Sequence, residues 1–315
     1  RMYKMHETSI ILLLLSYIAI VGMINPSFVQ LNSLSLMMKS SVILVVLAIG
    51  QSFVLFTKNI DVSVGSSMGL SAAVCGMLLT NEYSASLSIF AAITLGAIIG
   101  FVNGMGVAKF RVPAIIMTLG MLGIIRGAML IFTGGKWIED IPNDFKQLSS
   151  IIILGLPITV WFVLIILLLL YFFLRKVPLG RYFYAVGDNE DGARLIGIPV
   201  NKVKIYAFMI SGISAALAGC IFVMNIGFVP NQTGTGLELQ VIAAAVLGGI
   251  HLKGGTGSLF GAALGALFLE TISSSLVFLK IPAFWNNAIS GFLLLLIIIL
   301  DSVMKKWKAE RRMNL

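Results

Sequence analysis

Cysteine and histidine are almost absent from this chain: two of each occur in 315 residues. Cys75 and Cys220 each sit inside a hydrophobic stretch, so they read as buried thiols, and a disulfide framework is excluded as the basis of the fold. His6 and His251 lie near the ends of apolar blocks, and no metal-spaced His or Cys cluster is present. Charge is scarce as well. Only 11% of residues are Asp, Glu, Lys or Arg, where a soluble domain carries about a quarter. There is no nucleophile motif and no phosphate-binding loop: Gly254-Gly255-Thr256-Gly257-Ser258 lacks the lysine such a loop needs. No catalytic residue, metal site or ATP site is therefore expected in this chain.

What remains is 58% apolar, which points to an all-α polytopic membrane protein. Hydrophobic blocks fall at about 8–24, 41–57, 62–80, 85–108, 113–132, 151–174, 203–226, 237–250, 257–279 and 284–303, close to the roughly twenty residues one span requires. The expectation is about ten transmembrane helices in a single domain over 1–315. Blocks 62–80 and 237–250 are short and rich in small residues, so either can be a broken or re-entrant element. The first block is followed by Asn25-Pro26 and not by a small-residue cleavage site, so it reads as a retained helix. Arg1 in place of Met suggests that a few residues precede it.

With the amino terminus in the cytoplasm and sides alternating, the inside receives seventeen cations: Arg1, Lys4, Lys58, Lys109, Arg111, Arg175, Lys176, Arg181, Arg194, Lys202, Lys204, Lys253, Lys305, Lys306, Lys308, Arg311 and Arg312. The outside receives four, Lys39, Lys136, Lys146 and Lys280, with Arg126 inside a span. This asymmetry favours both termini in the cytoplasm. It also assigns the net charge of +9 to topology and anionic lipid, not to nucleic acid. Ten spans invite a five-plus-five inverted repeat of the kind transporters use, although no self-similarity is detected in the sequence itself.

Four groups of residues stand out. The first is the polar stretch at about 175–204, which interrupts the hydrophobic sequence on the cytoplasmic side. Within it, Arg181, Asp188, Asn189, Glu190, Asp191, Gly192, Ala193, Arg194 and Gly197 have the spacing of a helix-turn-helix knob offered to another protein; an ordinary solvated loop is the plain alternative. The second is Asn59, Asp61, Ser63 and Gly65, where Lys58 and Asp61 are spaced to pair locally. The third is Arg126, Glu238 and Glu270, rare charges in apolar surroundings, which serve either as packing ion pairs or as the lining of a polar cavity. The fourth, Asn231, Gln232 and Thr233 with Glu238, opens a helix at the outer face. Its amides and hydroxyls suit an uncharged, polyhydroxylated solute, or simply cap the helix at Thr235 or Gly236. The outer loop 134–139, with Trp137, suits either a docking partner or the lipid interface.

These motifs resemble the membrane permeases of sugar-type ATP-binding-cassette importers, the family of ribose, xylose and galactose permeases, from about residue 40 to 303. Residues 59–66 (NIDVSVGS) resemble that family's GIDLSVGS, 112–120 (VPAIIMTLG) its VPPFIATLG, and 187–198 (GDNEDGARLIGI) its cytoplasmic coupling loop. Residues 133–139, 227–238 and 281–286 resemble the autoinducer-2 branch of the family. Asn59 departs from the usual Gly. The resemblance implies a permease subunit in a bacterial plasma membrane that moves a small sugar-like molecule such as autoinducer-2. Its implied partners are a cytosolic ATPase that uses the ATP, a second and nonidentical permease subunit, and an extracytoplasmic solute-binding protein. A ribose-type permease, or an ATP-independent channel or secondary transporter, is the alternative.

Overall fold

The computed structural model describes residues 2–282, 284–296 and 299. The regular elements of the described chain are helical apart from a two-stranded hairpin: α1 (Met2–Ile24), a 3-10 turn (Pro26–Val29), α2 (Leu31–Phe56), α3 (Val64–Thr80), α4 (Ala85–Ala108), α5 (Ala114–Thr133), α6 (Asn143–Leu148), β1 (Ile152–Ile153), β2 (Leu156–Pro157), α7 (Ile158–Lys176), α8 (Pro178–Asp188), α9 (Glu190–Leu195), α10 (Val200–Ile226), α11 (Leu237–Leu247), α12 (Leu259–Phe278) and α13 (Trp285–Leu296). Seven helices, α1, α2, α4, α5, α7, α10 and α12, are long and apolar enough to cross a membrane. Three apolar helices, α3, α11 and α13, are shorter. Together they correspond to the ten hydrophobic blocks.

Two blocks change shape. The stretch 151–157 is not helical: Leu154 and Gly155 take positive φ (50° and 81°), the geometry of a tight hairpin turn, and β1 pairs antiparallel with β2 before α7 begins. Block 237–250 yields only the eleven residues of α11, about 16 Å of helix, half the roughly 30 Å hydrocarbon core. The end of block 284–303 and the basic tail 305–312 lie outside the described residues.

α10 is the axis of the bundle. It packs along α4 through Gly96, Gly100 and Gly104, spaced at i, i+4, i+8, where an added Cβ would run into the backbone of Gly212, Phe208 and Ile205 respectively. Without a hydrophobic driving force between helices in lipid, such small-residue rows let backbones approach and gain dispersion contacts. The exposed large side chains, among them Leu12, Ile20, Ile116, Ile131 and Leu169, stand on the outer helices, as expected where the solvent is lipid.

The two ends of the bundle differ. At one end gather Glu7, which accepts from Ser258 Oγ at 2.6 Å, the α2–α3 and α4–α5 turns, α8–α9 and the 250–258 loop. At the other, Asn25 Nδ2 donates to the Phe278 carbonyl (3.0 Å) and Lys39 Nζ to Ser149 Oγ (2.9 Å). Ile138 and Val229 pair in an isolated bridge there, and Trp137 stacks on Phe228 at 5.7 Å.

Between α10 and α11 the chain does not stay at that second end. Val229 packs beside Gly76 near the far end of α3, Thr233 against Gly69, and Gly234 and Glu238 against Gly65 near its start. Gly76 to Gly65 is about 16 Å along the helix, so residues 229–236 run down into the bundle as irregular backbone and α11 starts at mid-depth. Val229 and Thr233 are buried there, whereas Gln232 and Thr235 are exposed; irregular backbone at membrane depth is tolerated where it packs on protein or lines a water-filled cavity. Residues 57–63 form a comparable irregular entry to α3. The third apolar helix of each set of five, α3 and α11, is thus short and preceded by a non-helical segment.

Candidate functional site

At the first end, α8, α9 and the start of α10 make a helix-turn-helix. Pro178 opens α8 at its first turn, where the missing N–H costs nothing. Asn189 leaves the helical region (φ −149°, ψ 102°) and its Oδ1 accepts from Gly192 N at 2.9 Å, capping α9. Glu190 and Asp191 fill the first turn and Arg194 the last, the order the helix dipole favours. Gly197 (φ +83°) closes α9: its N–H bonds the Arg194 carbonyl (3.1 Å) and Ile198 N–H bonds that of Ala193 (3.0 Å), the paired bonds of a Schellman stop. Ala193 is buried beneath the turn, whereas Arg181, Asp188, Asn189, Asp191, Arg194 and Gly197 are exposed.

Glu190 is the hub of this element. Oε1 accepts from Arg194 Nη2 at 2.8 Å and Oε2 from Lys204 Nζ at 2.7 Å, and Arg194 also reaches Asn201 Oδ1 (3.3 Å). Partial burial pushes the carboxyl up, but the bonds and charges of Lys204 and Arg194 outweigh it and hold it below the usual carboxylate range. The result ties α9 to α10.

Several residues that sequence reasoning did not select complete the site. Gly187 meets the carbonyl of Phe56 at the end of α2, and Gly255 packs on Asp188 while its N–H bonds the same carbonyl at 3.0 Å. The glycine-rich run 254–257 therefore forms a floor under α8. At the tip, Leu195 and Ile196 are 88% and 76% exposed. Apolar side chains this bare on a polar, projecting turn mark a contact surface. A cleft of about 550 Å³ opens beside α9, with Asn59, Arg111 and Pro113 on one wall and Glu190, Asp191, Arg194 and Lys204 on the other. Asn59 thus belongs to this end of the molecule, where its Nδ2 also donates to the Thr57 carbonyl (2.9 Å).

Inside the bundle, Asp61 is 2% exposed and does not pair with Lys58, which is exposed and has left-handed backbone at φ +63°. Its Oδ1 accepts from Ser63 N (2.9 Å) and Ser63 Oγ (2.7 Å), and Oδ2 from Ser211 Oγ of α10 (2.9 Å). Asn103 of α4 donates to Ser63 Oγ (2.9 Å), and Thr118 of α5 accepts from Val62 N (3.1 Å). The Gln51 amide, in the orientation that satisfies both groups, bonds the backbone N–H and carbonyl of Asp61 at 3.2 Å. The α2–α3 turn is thereby fastened to α4, α5 and α10 at one point.

The remaining residues meet on the far side of α3. Gly65 leaves room for Glu238, whose Oε2 lies 2.6 Å from where a Cβ would stand. Arg126 Nη1 donates to the Thr233 carbonyl at 3.0 Å, pinning the descending segment to α5. Asn231 Nδ2 donates to the Gly135 carbonyl (2.7 Å) near the second end, and Gln232 is exposed. Helix α11 is entered through Gly236, which has no side chain to cap it. Gly65, Arg126, Thr233 and Glu238 thus form one cluster, Asp61 and Ser63 a second, and Asn59 lines the cleft beside α9. Glu270 of α12 stands apart from all three.

The family profile described as branched-chain amino acid transport system / permease component matches residues 33–298. The autoinducer 2 import system permease protein LsrC of Salmonella typhi is 47% identical over 295 residues, 94% of this chain and 85% of the relative. The proteins of the same name from Photorhabdus laumondii and Enterobacter sp. are each 46% identical, covering 94% and 96% of this chain and 89% and 88% of their own length. No solved structure matches the chain.

Proposed function

Since the chain belongs to the family of branched-chain amino acid transport system permease components, and so is a non-catalytic, multi-pass subunit of an importer, we propose that its cargo is autoinducer-2. The observation that carries this reading is the 46–47% identity, sustained over more than nine-tenths of the chain, to permeases named for that cargo.

In this reading the whole chain is one transmembrane domain of ten spans, with the α8–α9 end and the amino terminus in the cytoplasm. The gathering of Lys58, Arg111, Arg194 and Lys204 at one end, against Lys39 and Lys146 at the other, supports that orientation. The short third helix in each set of five supports an inverted repeat. Residues 175–204 receive a cytosolic ATPase, which uses the ATP: Leu195 and Ile196 supply apolar anchors, and Arg181, Asp188, Asp191 and Arg194 the electrostatic fit. Because Gly187 and Gly255 seat α8 on the end of α2, and Glu190–Lys204 joins α9 to α10, displacement of the knob is delivered to the two helices that Asp61 fastens together. A second permease subunit, expected to be nonidentical, and an extracytoplasmic solute-binding protein complete the importer.

Uptake of labelled autoinducer-2 by liposomes containing the co-purified complex, driven by enclosed ATP, tests this. Uptake dependent on ATP and on this chain is the expected result. A complex that carries ribose in preference moves the chain to a different branch of the family, and transport by the chain without any ATPase refutes the importer reading.

A further inference from the structure

A groove of about 190 Å³ lies between α2, α7 and α12, walled by Val42 and Val45 of α2, Val163 and Leu167 of α7, and Ala263 and Leu267 of α12. It follows each helix for two turns, about 10 Å. Leu164 at its rim is 38% exposed, so the groove opens on the lipid side of the bundle. The only polar side chain in the wall, Ser41, has given its hydroxyl to the Met38 carbonyl at 2.8 Å. A water molecule would find no pair of polar partners there, and apolar walls that face no other atoms forfeit their dispersion contacts. In a membrane the occupant of such a groove is hydrocarbon.

Towards the α8 end the groove leads to a cation. Phe260, which lines the groove at the start of α12, meets Tyr171 edge to face with ring centres 4.8 Å apart, and the Arg175 guanidinium lies over the Tyr171 ring at 4.5 Å. Leu167, Tyr171 and Arg175 are spaced i, i+4, i+8, so groove wall, ring and cation stand in one row on α7. Arg175 and Lys176 are exposed in the last turn of that helix, and among the described residues neither is in an ion pair. No Asp or Glu occurs from Ile158 to Gly187, nor in α2. From Arg175 to Leu167 is about 12 Å along the helix, within the roughly 15 Å of hydrocarbon that one leaflet contributes.

We propose that this groove holds an acyl chain of an anionic phospholipid from the leaflet on the α8 side, with the lipid phosphate on Arg175 and Lys176. The inference goes beyond the importer reading and requires only that the chain spans a membrane. The guanidinium sets its face on Tyr171, which leaves its N–H edge for phosphate oxygens. Two cations without a carboxylate beside them favour a headgroup of net negative charge; a zwitterionic headgroup would bring its own ammonium against them. Each juxtamembrane cation on an anionic lipid is worth about fivefold in affinity. The bound chain packs α7 against α12 along the length of the groove. Because α7 continues through Val177 into α8, the lipid steadies the helix that carries the α8–α9 knob.

The test adds limiting amounts of two probes to the complete, delipidated importer: phosphatidylglycerol and phosphatidylcholine with identical chains, one chain of each bearing a diazirine. After irradiation, labelled peptides of this chain are mapped by mass spectrometry. Phosphatidylglycerol is expected to label the groove segments of α7 and α12 at least about fivefold more than phosphatidylcholine. Arg175→Gln, an exposed substitution, should lower phosphatidylglycerol labelling about fivefold and leave phosphatidylcholine unchanged. Ala263→Phe, which places a ring in the groove, should lower labelling by both probes. Label confined to other faces of the chain overturns the inference, as does a preference untouched by Arg175→Gln or labelling untouched by Ala263→Phe. A photoreactive residue at Leu164 that cross-links to the second permease subunit in place of lipid assigns the groove to that subunit and overturns it as well.

Discussion

Replacing Gly187 by Ala is the sharpest test of how the knob is seated. An added Cβ there collides with the Phe56 carbonyl and comes within 2.6 Å of Gly255 N. Both obstacles are backbone atoms, already hydrogen-bonded to each other at 3.0 Å, so no side chain can swing away to relieve the clash. The helix must lift from the end of α2. Overpacking of this kind costs about 1–3 kcal/mol, and the displacement falls on the contact that links α8 to α2. Gly197→Ala is the matched comparison. Its Cβ would meet nothing within 4 Å, so only the left-handed backbone resists it, at about 1–2 kcal/mol; Asn, which tolerates that region, should be milder. In liposomes containing the importer, Gly187→Ala should uncouple ATP hydrolysis from uptake of autoinducer-2 while the chain still reaches the membrane. Gly197→Asn should transport nearly as wild type. If Gly187→Ala transports normally and Gly197→Asn does not, the seating of α8 on α2 is not the transmission contact and the argument is refuted.

Three further outcomes follow from the geometry. Leu195→Asp puts a charge on the bare tip of α9 without touching the fold, so thermal unfolding of the chain should be unchanged while co-purification of the ATPase falls at least tenfold. Asp61→Ala leaves the Ser63 and Ser211 hydroxyls and an amide N–H without their acceptor; at about 1–3 kcal/mol for each buried group so orphaned, the melting temperature in detergent should drop by several degrees, and less for Asn. Glu190, whose carboxyl is held below its ordinary value, contributes stability that is fully present above the unfolded carboxyl's pKa, about 4.3, and is lost as the pH falls through the lower folded value. The difference in denaturant midpoint between wild type and Glu190→Gln should therefore be constant near neutrality and vanish in acid. A gap that widens on acidification contradicts the ion-pair account.

Periodicity and composition alone located the seven long apolar helices and the three shorter ones among the described residues, and the polar stretch at about 175–204, because a lipid-facing span must be long and apolar whatever it packs against. The turn was legible too: the spacing of 188–197 predicts a helix-turn-helix, and α8 and α9 form one, with Asn189 as the cap and Gly197 as the stop. Pairings were not. Asp61 bonds Ser211, 150 positions away, in place of the neighbouring Lys58, and Asn59 lines a cleft with Glu190 and Lys204 and is not among the residues around Arg126 and Thr233.

What the sequence by itself determined is the class of solvent around this protein, the order of the apolar helices among the described residues, and the polar turn between α7 and α10. Each depends on one residue or one short window meeting lipid or water. Tertiary structure decided that 229–236 descends to mid-depth along the glycines of α3, that the run 254–257 is a floor for α8, and that Arg126 of α5 holds the Thr233 carbonyl. Those are contacts between segments far apart in the chain, set by which backbones can approach closely, and no window of sequence contains both partners.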